Sequence, residues 1–321
     1  MATGVFSSEP FLDALNASWF AGAARVGDVA VGDHVVRTLI RGNCPVLDVA
    51  FLDFFIPLDG ASPELRGRYA PRVATAVHSA GERSIIDPLV SEHAPFVRWS
   101  GFASWDDVLT HWKQGEKGIV RESRRRETRL ERELGRVRYV MNDEREETLR
   151  ACLTWKSAQF REAGLPDPFD DPRNERLLRA LLGDGVAVLG SLYAGDRVLA
   201  SHLGLVWGAT THWWLPTYDR TVAWASPGRL LLEWVMRQSY ERGDDEFDFL
   251  RGASTYKWTY ATDYRTVVEA GRPPLGRRAR LARARAARRY PRLADAARRA
   301  RDSARPIWRR PAMSAPTDGT L

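Results

Sequence analysis

The chain has 321 residues, of which 44% are hydrophobic and 12 are Trp, enough apolar material for one large packed domain or two small ones. Only two cysteines occur, Cys44 and Cys152, which excludes a disulfide framework, fits a reducing compartment and suits two small thiols in a core. The net charge of +7 is uneven: from Gly271 onward the chain holds 15 Arg and no Lys against Asp295, Asp302 and Asp318, so that segment carries +12 and the body before it −5.

The first twenty residues set Asp13 and Asn16 in their apolar stretch and have no cationic lead, which argues against a secretory signal. No stretch approaches the ~18 apolar residues of a membrane span, so a cytoplasmic protein is expected. His34 to Ile40 and Val46 to Phe55, on either side of Gly42-Asn43, read as a β-hairpin. Trp105 to Gly135 reads as one long helix, whose second half from Arg121 to Arg132 mixes charges at three- and four-residue spacing, the pattern of a solvated face.

A short strand, Val137 to Met141, comes next, then helices over Glu144 to Ala163 and Asn174 to Leu182. Three strands follow, Val186 to Tyr193, Val198 to Trp207 and Thr211 to Thr217, turning at Ala194-Gly195-Asp196 and Gly208-Ala209. Such a meander needs helices on a face. A helix from Gly228 to Glu241, closed by Gly243, and a strand from Glu246 to Leu250 complete the pattern. From Arg277 the chain alternates Arg with Ala, reads as two short helices, and ends in a segment of disordered composition.

Several groups of residues have chemical potential, each beside a plain structural reading. Ser226 and Pro227 make a stable helix start as N-cap and first-turn residues; equally, Gly228 admits an anion, with the N–H groups of Gly228, Arg229 and Leu230 to bind it. Asp248, Arg251, Tyr256 and Lys257 lie at and after a strand end, where Asp248 pairs structurally with Arg251 or Lys257, or the cations face a developing anion. Phe247 and Phe249 alternate with Asp248 and point to the core. Tyr218-Asp219 ends a strand, and Trp155, Lys156 and Gln159 share one helical turn that packs Trp155 inward or presents all three to a substrate. His202 and His212 lack partners at metal-ligand spacing, so no metal site is expected. No Gly-x-Ser-x-Gly elbow, Walker loop or Cys-x-x-Cys occurs, which excludes the commonest hydrolase, P-loop and zinc-ribbon designs.

Taken as a set, Tyr218-Asp219, Ser226-Pro227-Gly228-Arg229-Leu230-Leu231 and Phe247-Asp248-Phe249-Leu250-Arg251-Gly252 with Tyr256-Lys257 resemble the CelD-type acetyltransferases of the GNAT superfamily, relatives of the FemAB peptidoglycan aminoacyltransferases. The resemblance spans about Trp105 to Thr266. It implies an α/β (α+β) GNAT-like acyltransferase fold: a mixed, mostly antiparallel sheet flanked by helices over 105–270, preceded by a degenerate GNAT-like half over 1–104 and followed by the Arg-rich tail, 271–321. It implies transfer of an acyl group, acetyl in the first instance, from acyl-CoA to an amine on an amino sugar or another cell-envelope or polysaccharide precursor.

In that scheme Ser226, Pro227, Gly228, Arg229 and Leu230 hold the CoA pyrophosphate, although the family's usual turn has more glycines. Lys257 stabilises the oxyanion, Tyr256 protonates the departing thiolate and Asp248 orients. Tyr218, Asp219, Arg251, Trp155, Lys156 and Gln159 meet the substrates, and the arginines from Arg121 to Arg132 meet an anionic acceptor. The alternatives are a FemAB-like aminoacyltransferase using aminoacyl-tRNA and a non-catalytic scaffold. The tail is either a solvated extension or a peripheral contact for RNA or for an anionic membrane, at its inner face.

Overall fold

The central sheet of the computed structural model grows outward from the meander. The structure describes residues 4–31, 34–42, 44–46, 55–57, 91–163, 167–250 and 254–269. Arg251, Gly252 and the whole Arg-rich tail lie outside the described residues. Strands β7 (Ala187–Ala194), β8 (Arg197–Trp207) and β9 (Thr210–Tyr218) pair antiparallel through the glycine turns expected of them. Strand β6 (Val137–Val140) adds to the outer edge of β7. On the other side stand β10 (Glu246–Asp248), β5 (Ser91–Arg98), β11 (Asp263–Glu269) and β4 (Phe55–Pro57), giving the order β4-β11-β5-β10-β9-β8-β7-β6. Among the described residues only the β9–β10 pairing is parallel; the other neighbours in this sheet run antiparallel.

A separate antiparallel sheet consists of β1 (Arg25–Val31), β2 (His34–Arg41) and β3 (Cys44–Val46). The hairpin expected around Gly42 is therefore present as β2–β3. Of its expected second arm, residues 47–54 lie outside the described residues, and Phe55 belongs to β4, which pairs with β11 in the large sheet.

Helices cover both faces of the meander. One buried cluster joins α1 (Glu9–Phe20), α4 (Glu146–Glu162) and α5 (Pro172–Gly183) to Leu189, Leu203, Leu205, Trp214 and Leu215. The other joins α2 (Trp105–Gly115), α3 (Ile119–Leu134), α6 (Pro227–Arg242) and α7 (Thr255–Tyr260) to Leu192, Leu199, Trp213, Phe247 and Phe249. Consecutive Trp213 and Trp214 enter opposite clusters, while Leu215 shares the cluster of Trp214.

Two expectations need correction. Residues 105–135 form two helices, because Gly118 adopts φ +85, which a right-handed helix cannot contain, and α3 begins after it. A strand over 246–250 stops at Asp248, because Leu250 takes φ +56 and leaves the extended conformation. Elsewhere the ends move by one or two residues: α5 starts at Pro172 behind Asp171, whose carboxylate accepts from the Arg173 N–H, and α6 closes on Gly243 at φ +81.

Candidate active site

The parallel pairing of β9 and β10 ends with Asp248 opposite His212, while β9 continues to Tyr218. From Trp213 onward the two strands part, and among the described residues β10 pairs with β9 no further, which leaves a fork in the sheet along β9. The fork coincides with a bulge. Leu205 of β8 faces His212 and Leu203 faces Leu215, so Trp213 and Trp214 together stand opposite Gly204. The displaced Trp214 N–H donates to His202 Nε2 at 3.2 Å. The imidazole is buried and stacked on Trp213, with ring centroids 3.8 Å apart. It fits there because position 204 is glycine: a Cβ would lie 2.3 Å from His202 Cε1. Burial pushes the His202 pKa down to about 3, so the ring is neutral and serves as an acceptor.

Tyr256 and Lys257 reach the fork from α7. The Trp213 indole Nε1–H donates to the Tyr256 hydroxyl at 3.2 Å, which fixes the phenol at the first residue past the last β9–β10 pair. Tyr256 is 40% exposed. Burial around its hydroxyl raises the phenol's pKa, and the bond from Trp213 lowers it in part. The Lys257 ammonium is buried and donates to the carbonyl oxygens of Phe249 at 2.9 Å and Leu250 at 3.3 Å, the two residues that follow β10. Asp248 accepts from the Leu250 N–H at 2.7 Å. Asp248 and Lys257 thus clip the same left-handed turn from two sides, and Phe247 and Phe249 anchor it in the core.

A half-buried carboxylate supports α7 from below. Glu233 of α6 accepts from Ser123 Oγ of α3 at 2.9 Å and from the Tyr260 hydroxyl of α7 at 2.8 Å, with Arg229 Nε at 3.9 Å. Burial pushes its pKa up to about 7, against the pull of those donors.

The far end of the fork has a different character. Gly228 lies under the Tyr218 ring, where a Cβ would meet Cδ1 at 3.3 Å. Ser226 precedes α6 but does not cap it with its side chain: it sits at φ 49, ψ 52, and its Oγ accepts from Arg126 of α3. The Arg126 guanidinium also bonds Glu122 Oε1 at 2.8 Å and the Trp224 carbonyl at 3.4 Å. The expectation of three free N–H groups at this helix start is corrected as well. Those of Arg229 and Leu230 both donate to the Ser226 carbonyl, at 2.9 and 3.2 Å, which leaves the Gly228 N–H as the donor of the three that those bonds do not use. Pro227 and Leu230 are buried among the core side chains, so neither presents its side chain to a ligand. Arg229 is ion-paired towards Glu116 and Glu233.

Asp219 caps the 3-10 turn Arg220–Ala225 by accepting from the Thr221 N–H at 2.9 Å, and it pairs with Arg197 at 2.5 Å. On α4, Lys156 Nζ donates to the Pro216 carbonyl at 3.2 Å and to Gln159 Oε1 at 3.3 Å, while Gln159 Nε2 donates to Thr217 Oγ1 at 3.1 Å. Those two residues therefore meet β9 just before Tyr218, and burial lowers the Lys156 pKa. Trp155 is half-buried on the same helix.

The structure thus gathers Asp248, Tyr256 and Lys257 at the fork, and Tyr218, Ser226, Gly228, Lys156 and Gln159 along or beyond the far part of β9. The sequence reading missed Trp213, the bracing role of His202, the bond from Arg126 to Ser226, and Glu233. Glu233 did carry a signal, a lone carboxylate inside Leu230-Leu231-Leu232-Glu233-Trp234-Val235-Met236. Among the described residues there is no cluster suited to a metal ion, and no helix is long and apolar enough to cross a membrane.

No curated protein matches the chain. Among solved structures, FemX is similar at 10% identity and a TM-score of 0.47, over 84% of this chain and 90% of that one. The C-terminal (DUF2156) domain of a putative lysylphosphatidylglycerol synthetase from Agrobacterium fabrum is similar at 12% identity and 0.45, over 88% and 95%. L-PGS from Bacillus licheniformis is similar at 12% and 0.38, over 85% and 93%. Likenesses this distant have no bearing on substrate or activity. The acetyltransferase (GNAT) domain family model matches residues 119–258, the stretch from the start of α3 to Trp258 that holds Trp213, Gly228, Asp248, Tyr256 and Lys257. Over that stretch the chain is similar to an acetyltransferase (GNAT) domain, and it lies in a mixed sheet flanked by helices.

Proposed function

We propose that the protein transfers an acyl group, acetyl in the first instance, from an acyl-CoA to an amine, with an amino sugar or another cell-envelope or polysaccharide precursor as acceptor. The observation that carries this reading is the fork. An anion-tolerant helix start and a Tyr-Lys pair stand at opposite ends of the β9 stretch that runs beyond β10, five residues or about 17 Å apart at ~3.3 Å per residue. An extended amide-bearing arm such as pantetheine suits that edge, since among the described residues β10 pairs with β9 no further than His212. Its phosphates then lie near Gly228 and its thioester near Tyr256.

In the step itself, the amine lone pair attacks the thioester carbonyl carbon and a tetrahedral oxyanion forms. A strand N–H or the Lys257 ammonium stabilises it. The C–N bond is kept, the C–S bond breaks, and the departing thiolate takes the proton of the Tyr256 hydroxyl. The proton shed by the new amide nitrogen returns the phenol to its starting form. Lys156 and Gln159 flank the acceptor side of β9.

Calorimetric titration with acetyl-CoA tests the reading, comparing the wild type with Gly228→Glu, whose carboxylate would occupy the phosphate end. Circular dichroism checks that the variant folds, since its Cβ presses on Tyr218. Micromolar binding that the substitution abolishes supports the reading. Absence of binding to acetyl-CoA and to longer acyl-CoAs overturns it. The +12 tail then favours the second reading, a FemAB-like transfer from aminoacyl-tRNA, which predicts steeply salt-dependent tRNA binding. Loss of partner recruitment on tail deletion, with no turnover of either donor, points instead to a scaffold.

A further inference from the structure

We infer that Trp213 is a positioning residue that locks the Tyr256 phenol into the role of proton donor at the fork; the inference rests on the acyl-transfer reading. An indole N–H can only donate, so in the 3.2 Å contact with Trp213 the Tyr256 oxygen must accept. The phenolic O–H then has to point away from Trp213. Among the described residues no acceptor takes it, so the proton is left available to a ligand at the fork. A free tyrosine hydroxyl rotates between donor and acceptor roles, whereas this one has had the choice made for it.

The indole is itself held rigidly. It is 3% exposed, stacked on the His202 imidazole at 3.8 Å and packed on Phe247 at 6.2 Å between centroids. His202 in turn is fixed by its bond from the Trp214 N–H and by the space at Gly204. The bulge that opens the fork therefore also sets the orientation of the acid that works in it. The electrostatic consequence agrees: of the influences on the phenol, the indole bond is the one that opposes the upward push of burial.

The test uses the full chain as wild type, Trp213→Phe and Tyr256→Phe, with hydroxylamine as the amine probe and two donors, acetyl-CoA and an acetyl aryl thioester whose thiol is a much stronger acid. Trp213→Phe keeps a ring against His202 and Phe247 but loses the N–H. With acetyl-CoA its kcat should fall about tenfold at unchanged KM, part of the roughly 10²–10⁴ that a positioned general acid contributes. With the aryl thioester, whose thiolate needs no proton to leave, kcat should stay within about twofold of wild type by the same reasoning. A merely structural role would slow both donors alike, and that result overturns the inference. Ultraviolet titration gives a second readout: the tyrosinate step absent from Tyr256→Phe should move to higher pH in Trp213→Phe, and an unmoved step also overturns the inference. The parent reading fails in a different way, if Tyr256→Phe itself retains wild-type kcat with acetyl-CoA.

Discussion

The two ends of the fork along β9 are built from opposite materials. At Trp213 the parts are buried and mostly neutral: stacked aromatic rings, an uncharged imidazole, and one ammonium already committed to two backbone carbonyls. Beyond Tyr218 they are charged and partly wet: Arg126 shared among Ser226, Trp224 and Glu122, Arg229 between two glutamates, and Asp219 on Arg197. Dry packing fixes atoms to a fraction of an ångström and suits groups that must meet a reacting bond. A solvated ion network exchanges partners cheaply and suits capture of a multiply charged group. Damage to the first end should appear in kcat or in folding, and damage to the second in donor affinity.

The largest effect is expected from Tyr256→Phe, which should lower kcat with acyl-CoA by roughly 10²–10⁴ while calorimetric donor affinity stays put. Equal losses in both quantities would erase the distinction between the ends.

Next comes pH. His202 is depressed to about 3 from 6.5, so between those values the unfolded chain binds a proton that the folded protein refuses. Stability tied to this group is therefore complete above pH 6.5 and is lost as pH falls through the folded-state value of about 3. Glu233, raised to about 7 from 4.5, works the other way: the folded protein holds a proton that the unfolded chain releases, so its contribution is complete below pH 4.5 and is lost as pH rises to 7. Between pH 4.5 and 6.5 the two oppose each other. In urea titrations Glu233→Gln should thus show stability rising with pH more steeply than wild type across that window; an unchanged slope would remove Glu233 from the account.

Lys257→Met strips one buried and one partly buried carbonyl of their donor and should cost about 2 kcal/mol of unfolding free energy. The smallest expected effect is at the wet end: Arg126→Gln should weaken acetyl-CoA binding about fivefold, near 1 kcal/mol, with kcat unchanged. A kcat loss there would mean that the ends are coupled.

Much of the fold was legible because its signals are local. β-branched strands between glycine turns gave the meander, and Pro227 and Gly243 bracketed α6. The break at Gly118 was hidden because the helical pattern runs on through it, and β11 went unseen behind the short Tyr-Lys helix. In the site, the clustering of Asp248, Tyr256 and Lys257 followed from their shared strand end. Trp213 and His202 act through a register shift between two strands, and Arg126 reaches Ser226 across 100 residues, and neither relation is written in any short window.

Strand β5 lies between β10 and β11, so residues 91–98 find their neighbours only at 246–248 and 263–269. A growing chain must therefore carry β5 unpaired through the synthesis of the whole meander, whose own hairpins close over short loops. Such long loop closures are slow. The order of assembly should then be β7–β9 first and the fork last, with β5 as the late-arriving keystone. Pulse-labelled hydrogen exchange during refolding would show the reverse, early protection of Val97 and Phe247 amides, if that order were wrong.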